Sequence, residues 1–298
     1  MWEYCEKILR YVGSDMCGFA GESNEELCLR WQQMGAFHTF MRNHNSLYLP
    51  PQDPAQWRSV TDATIKANLF RYSYLPYLYS LHFEASLYGR TVIRPLFYEY
   101  PEDSRTHDLG NEFLWGSSML IAPVLYQGAR SVNAYLPKND WYSLFDHEYG
   151  QLFGKGDHTF PAPWTSLIPV LTSFPSHKII IAGSILPRQA PNVTTEYTRK
   201  NAFELLVAPL KNNGYGHASG YLYWDDGESI VDSFAKHPYY HWTFSYSSSD
   251  VVSNLVITTE KKAVNVDKSA SYYDKNTKIL YISTKNLIDI SVGSTNTL

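Results

Sequence analysis

Apolar residues along the first ninety positions switch between strand-like runs and helical spacing. Ile8, Leu9, Tyr11 and Val12 give way to Gly13, Asp15 and Gly18, which predicts a strand running into a loop over residues 7–20. Ser23 and Glu26 then make a capping box, with Glu25 also in the first turn to suit the helix dipole. Leu27, Trp31 and Met34 follow at i, i+4 and i+7 and predict one apolar helix face, ended by Gly35. Ala36 to Phe40 read as a short buried strand, with Arg42 to Asn45 at its end. Pro50, Pro51 and Pro54 make the next stretch a loop. A second helix is predicted over residues 59–88. Ile65, Leu69, Tyr72, Leu75 and Tyr79 keep helical spacing there, Pro76 predicts a kink and Gly89 a cap. Strand, loop, helix, strand, loop, helix is the order of two βα units of a parallel sheet or barrel. In such barrels the chemistry sits at the C-terminal ends of the strands, and Asp15 and His44 lie at those two places.

Past Gly89 the pattern turns to short β-rich runs at 91–101, 117–126, 130–137, 140–146 and 177–186, which suggest a sandwich. A second β section starts near residue 188, with apolar–polar alternation clearest in HWTFSYS at 241–247 and a polar loop stretch at 261–278. The expected division is therefore 1–93, 94–187 and 188–298. A piece of about 94–298 is expected to fold by itself, and 1–93 alone to be poorly soluble because its strands keep unpaired edges.

Composition narrows the function. With 44% apolar and 18% charged residues the chain has ample material for a core, and a net charge of −4 without a basic stripe argues against a nucleic-acid partner. The apolar runs are too short for a transmembrane segment, and the charges in MWEYCEKILRY do not suit a secretory signal. Aromatics reach 15%, including 24 Tyr and 8 Trp, which serves either pyranose stacking or a β-sandwich core. Cys5, Cys17 and Cys28 lack the spacing of a zinc site, so no metal and no cofactor is expected. Cys17 and Cys28, eleven apart, fit either a disulfide or two buried thiols. Asn192-Val193-Thr194 is a glycosylation sequon. No GxSxG, HExxH or glycine-rich phosphate loop occurs.

The segments GSDMCGF at 13–19, ELCLRWQQMGAF at 26–37 and RNHN at 42–45 resemble the α-glucosidases of glycoside hydrolase family 31. The resemblance continues in order through QDP at 52–54, RYSYLPYLYSL at 71–81, RPLFYEYPED at 94–103, FLWGSSMLIAPVL at 113–125, GARSVNAYLP at 128–137, TRKNAFELLVA at 198–208 and LYWDDGES at 222–229. It implies the last two βα units of a (β/α)8 barrel followed by two C-terminal β-sandwich-like domains. It implies release of terminal α-linked glucose with retention, from an α-glucoside or maltooligosaccharide substrate. Asp15 and Phe19 match family positions at the end of the seventh barrel strand, and Arg42 and His44 match positions at the end of the eighth. By that match His44 donates to a glucose hydroxyl, Phe19 forms an apolar wall, and Asp15 pairs with Arg42 away from water. A Cys17–Cys28 disulfide is implied as well, with Cys5 left over.

The sequence departs from the family in one decisive respect. The family's nucleophile lies in a W-x-D-M-N-E-type segment and its acid/base in an H-W-x-G-D-N-type segment, and neither is found in these 298 residues. Trp224-Asp225-Asp226-Gly227 is only superficially similar to the second, and His241-Trp242 lacks the Gly-Asp-Asn that should follow. A retaining glycosidase needs two carboxyls about 5–5.5 Å apart. This stretch alone is therefore expected to be a catalytically incomplete C-terminal portion, with no catalytic residue of its own. The resemblance implies the lysosome, the endoplasmic reticulum lumen or secretion as its place, and the sequon agrees. The alternative is a non-catalytic carbohydrate-binding or scaffold protein built on the β-domains.

Overall fold

The computed structural model describes residues 11–145, 148–173, 183–212, 214–250, 252–263, 278–283 and 288–293. Expectations for the first ten residues and Cys5 lie outside them, as do most of the polar stretch 261–278 and the start of the run at 177–186. The chain forms two compact units, Met1–Arg71 with Thr91–Lys178 and Tyr72–Arg90 with Ile179–Leu298.

In the first unit, β1 (Asp15–Met16) pairs parallel with β2 (Arg42–Asn43), and α1 (Glu25–Gly35) lies between them in sequence. The cap of α1 is Asn24 rather than Ser23: its Oδ1 accepts from Leu27 N at 3.0 Å. Asparagine is at least as good a cap as serine, and Asn24 has the extended backbone a cap requires. The buried face also differs from the predicted one. Leu27 is 42% exposed, whereas Arg30 and Gln33 are buried. Their head groups find backbone acceptors far along the chain: Arg30 bonds Ala129 O and Ala162 O at 2.9 and 2.8 Å, and Gln33 bonds Ser166 O at 2.7 Å. Periodicity counts apolar residues and so misses a face whose buried members are polar groups with acceptors elsewhere in the fold.

Residues 36–39 are buried as expected and Phe40 partly so, but the segment turns instead of pairing as a strand. Phe37 N and His38 N donate back to Met34 O and Gly35 O, and Arg71 donates to the carbonyls of Ala36 and His38. The predicted long helix is two helices, α2 (Arg58–Ser73) and α3 (Leu75–Tyr88), with Pro76 in the first turn of the second. Proline lacks the N–H a continuing helix needs there, so the chain restarts instead of kinking. Gly89 caps α3 in the left-handed conformation, φ 73°, as predicted. Ile65 and Leu69 are about half exposed, and α2 instead buries Val60 and Ala63 beside Cys28 and Leu29.

The rest of the unit is mainly β. β3 (Ile93–Arg94), β4 (Phe113–Trp115), β5 (Met119–Ile121), β6 (Ser131–Leu136), β7 (Trp141–Ser143), β8 (Leu152–Phe153), β9 (Gly156–Pro161) and β10 (Val170–Thr172) form two sheets. One has the order β3-β4-β5-β10-β7-β8, and the other pairs β6 with β9. Leu96–Glu99, predicted as strand, is a helical turn opened by Pro95.

Glu112 is buried in this unit. Its Oε1 accepts from Tyr135 N at 3.1 Å, and its Oε2 has no partner among the described residues. Burial pushes its carboxyl up to about 8, with Asp157 adding to the effect and the Tyr135 amide and Arg105 opposing it. The unfolded chain ionises this group near 4.5. Stability is therefore fullest below that pH and declines as pH rises toward about 8, because the unfolded state releases the proton first. Glu112→Gln should match the parent at pH 4 and exceed it by about 1–3 kcal/mol at pH 8 in denaturant unfolding. Equal gains at both pH values would show that Glu112 is not held neutral.

In the second unit, β11 (Gly183–Gln189), β12 (Phe203–Ala208), β13 (Leu210–Asn212), β14 (Tyr215–Trp224), β15 (Tyr240–Ser248), β16 (Ser253–Lys261), β17 (Lys278–Ser283) and β18 (Ile288–Gly293) share one sheet. Its order is β16-β15-β14-β11-β12-β18-β17, with β13 on β14; among the described residues of this sheet only β11 and β14 pair parallel. The alternation in 241–247 is realised, with Phe244 and Tyr246 buried and Ser245 exposed. Gly220 allows β14 to approach β11, since a Cβ there would stand 2.1 Å from Ile185 O.

Helix α3 belongs to this unit. Ser80 Oγ accepts from Tyr223 N at 3.0 Å, and Phe83 stacks on Tyr223 with centroids 4.2 Å apart. The units therefore group the chain differently from a linear division at 93/94 and 187/188, and a piece beginning at residue 94 leaves α3 out. Asp225, its side chain 1% exposed, holds the arrangement. Its carboxylate accepts from Tyr79 OH (2.8 Å), Tyr223 OH (2.5 Å) and Gly227 N (2.9 Å), and His237 Nε2 lies 3.1 Å away. Arg199 donates to the Asp225 carbonyl and lies over the Trp224 ring at 3.7 Å.

Candidate functional site

The parallel register sets Asp15 directly beside Arg42, and Met16 beside Asn43. Close backbone approach prepares this pairing. Phe40 N donates to Val12 O at 2.9 Å, and a Cβ on Gly13 would stand 1.8 Å from Phe40 O. Side chains alternate along a strand. Met16 accordingly goes inward at 3% exposure, while Asp15 and Arg42 stay at the solvent-facing rim.

Arg42 Nε and Nη2 both donate to Asp15 Oδ1, at 2.8 and 2.5 Å. Asp15 Oδ2 has no hydrogen bond among the described residues. The expected pair is thus present, but it is not shielded from water: the side chains are 48% exposed for Arg42 and 19% for Asp15. Both sit at strand ends, where the sheet opens to solvent. An exposed pair adds about 0–1 kcal/mol to stability, so its value lies in where it holds charge. The Arg42 guanidinium also stands 5.1 Å over the Phe40 ring.

After β1 the backbone reverses through Cys17 and Gly18, both at positive φ, 66° and 92°. This turn carries Phe19 to the rim, where its ring lies 5.3 Å from that of His44, tilted 40°. Both are exposed, and Ser46 N donates to Phe19 O at 2.8 Å, joining the two loops. All four residues singled out from the sequence, Asp15, Phe19, Arg42 and His44, therefore gather on two adjoining loops as two contacting pairs.

Beneath the rim, Cys17 and Cys28 are joined as a disulfide, which ties the first loop to α1. Closing so short a loop is worth about 3 kcal/mol on chain-entropy grounds. Replacing both cysteines by Ala should cost about 2–4 kcal/mol in denaturant unfolding, and an unchanged midpoint would remove the staple from the account of the site. Sequence reasoning passed over Gln52, 6% exposed, whose amide reaches both loops. The QDP segment was the signal; it marked the loop but not the role. Asn192 is exposed, on a segment distant in sequence from the rim, and Thr194 caps the short helix after it by accepting from Tyr197 N at 3.2 Å. Among the described residues no group of His, Cys, Asp and Glu could hold a metal ion, and no helix is long and apolar enough to cross a membrane.

Comparison with known proteins bears on this rim. Residues 8–81 match the family pattern described as the glycosyl hydrolases family 31 TIM-barrel domain, and residues 89–174 match the glycosyl hydrolase family 31 C-terminal domain. The lysosomal alpha-glucosidase of Mus musculus is 39% identical over 268 residues, covering 85% of this chain and 27% of that protein. The intestinal sucrase-isomaltase of Homo sapiens is 41% identical over 244 residues, covering 80% and 12%. A Flavobacterium johnsoniae GH31 dextranase complexed with glucose shares the fold, with a TM-score of 0.74 and 22% identity over 93% of this chain and 37% of its own. The chain thus spans about a quarter of the length of the mouse relative and about an eighth of the human one.

Proposed function

Because the chain belongs to glycoside hydrolase family 31, we propose that it is the C-terminal portion of a retaining exo-α-glucosidase and supplies one side of the glucose pocket. The carrying observation is the rim itself: Asp15 bonded to Arg42 and Phe19 against His44, at the ends of two parallel strands. Arg42 occupies only Oδ1 of Asp15, which leaves Oδ2 to accept from a sugar hydroxyl. His44 donates to a second hydroxyl, and the Phe19 ring offers an apolar wall to the C–H face of the pyranose. Arg42 keeps the Asp15 carboxylate oriented and its charge balanced.

In this reading the attacking carboxylate and the acid/base come from sequence outside these 298 residues, since neither motif occurs within them. The first attacks the anomeric carbon, and the second protonates the leaving oxygen and then activates water, so the configuration is retained. β1, α1, β2 and the helices after it are then the last two βα units of a (β/α)8 barrel. The β segments of the first unit are then the proximal domain, expected at 94–187, and those of the second unit the distal one, expected at 188–298 but starting before β11. The substrate is an α-glucoside or maltooligosaccharide. The Cys17–Cys28 disulfide and the exposed sequon at Asn192 support an oxidising setting, either the lysosome, the endoplasmic reticulum lumen or outside the cell.

The test substitutes this chain for the matching portion of the mouse lysosomal alpha-glucosidase and assays maltose hydrolysis. The 298 residues alone should give no turnover, and the replaced enzyme should be active. Turnover by the chain alone, or a folded but inert replacement, would sink the reading.

A further inference from the structure

We infer that Gln52 is a positioning residue that holds the two rim loops in register; the inference rests on the glucose-pocket reading above. Gln52 Nε2 lies within hydrogen-bond distance of four acceptors: Met16 O at 3.1 Å, Gly18 O at 3.0 Å, Asn43 Oδ1 at 3.1 Å and His44 O at 3.2 Å. Two belong to the loop that carries Asp15 and Phe19, and two to the loop that carries Arg42 and His44. Three of the four are backbone carbonyls, which only accept. The side-chain nitrogen, not the oxygen, must therefore face them, which fixes the orientation of the amide.

The position is built around this residue. Its side chain is buried, and its own backbone carbonyl accepts from Asn43 Nδ2 at 2.8 Å. Main-chain carbonyls turned toward one buried point need a shared donor, or each bears a desolvation cost. Without the amide, the loops keep the Asp15–Arg42 ion pair, the Phe19–His44 ring contact and Asn43 Nδ2 to Cys17 Sγ, and past the strand ends their backbones meet through Ser46 N to Phe19 O. The Cys17–Cys28 disulfide and the Asp15–Arg42 pairing hold the surrounding fold, so loss of the amide acts on rim geometry first. A pocket that must hold sugar hydroxyls within hydrogen-bond reach tolerates little displacement of either loop.

Gln52→Glu keeps the size and shape of the side chain and replaces the donor with an oxygen facing carbonyls. Gln56→Glu, on the exposed part of the same segment, is the control. In the 298-residue chain, Gln52→Glu should speed amide exchange at Ser46 about tenfold or more and leave the α1 amides of Leu29 to Gln33 unchanged. Unchanged exchange at Ser46 overturns the inference, and so does equal acceleration throughout α1, which would mean general loosening. In the replaced enzyme, assayed well below the unfolding midpoint of each variant, Gln52→Glu should lower kcat/KM for maltose about tenfold or more with a raised KM, and Gln56→Glu should leave both unchanged. An active parent with kcat/KM unaffected by Gln52→Glu overturns the positioning role alone. An inactive parent counts against the glucose-pocket reading, while the exchange measurement still decides whether Gln52 joins the loops.

Discussion

In the replaced enzyme, Asp15→Ala and His44→Ala should each lower kcat/KM for maltose by about 10–100-fold while leaving the unfolding midpoint close to the parent's. The size follows from losing a hydrogen bond that involves, or lies beside, a charged group in a site closed by substrate. Asp15→Ala should have the larger effect, because it also leaves Arg42 without the carboxylate that both of its donors share. Arg42→Lys should restore only part of what Arg42→Ala loses, since one ammonium cannot reproduce the two-point fork. Stability should scarcely respond, because the pair is half open to water and exposed pairs contribute about 0–1 kcal/mol. Steady-state kinetics and thermal unfolding of the same preparations check this. If activity falls only in step with the midpoint, the four residues are structural and the pocket lies elsewhere.

The largest stability effect should come from the other unit. Asp225→Ala is expected to cost about 3–5 kcal/mol, the range for removing one partner from a buried charged cluster. It strips the acceptor from Tyr79, Tyr223 and His237 together, inside a site where water does not replace it. Tyr79→Phe removes one donor and should cost about 1–2 kcal/mol. Combined with Asp225→Ala it should add almost nothing, because the two changes remove the same bond. Denaturant unfolding followed by the fluorescence of Trp224 and its neighbours provides the measurement. Full additivity would mean that Tyr79 and Asp225 act separately, and that α3 is held by Phe83 and Ser80 alone.

Much of this was legible before any coordinates. The order of strands and helices was visible from spacing, although the second strand is Arg42–Asn43 and not residues 36–40; the end of α3 was visible from Gly89, and the four rim residues from the match of GSDMCGF and RNHN to a known family. Local chemistry makes these features legible: a left-handed cap, an apolar period and a strand-end loop are each properties of a few consecutive residues. The buried face of α1 was not legible, because Arg30 and Gln33 look like surface residues until Ala129, Ala162 and Ser166 bring backbone acceptors to them. Asp225 was read only as superficially similar to a catalytic motif; its role as the acceptor for Tyr79, 146 positions away, was not legible.

The amino-acid sequence by itself determined which family this chain belongs to, which four side chains meet at the rim and where α1 and α3 end. Tertiary structure alone decided how they are held. Gln52 serves both rim loops because Met16, Gly18, Asn43 and His44, distributed over 29 positions of sequence, bring their oxygens to one amide. A hydrogen-bond donor has no visible role until the fold places the acceptors around it.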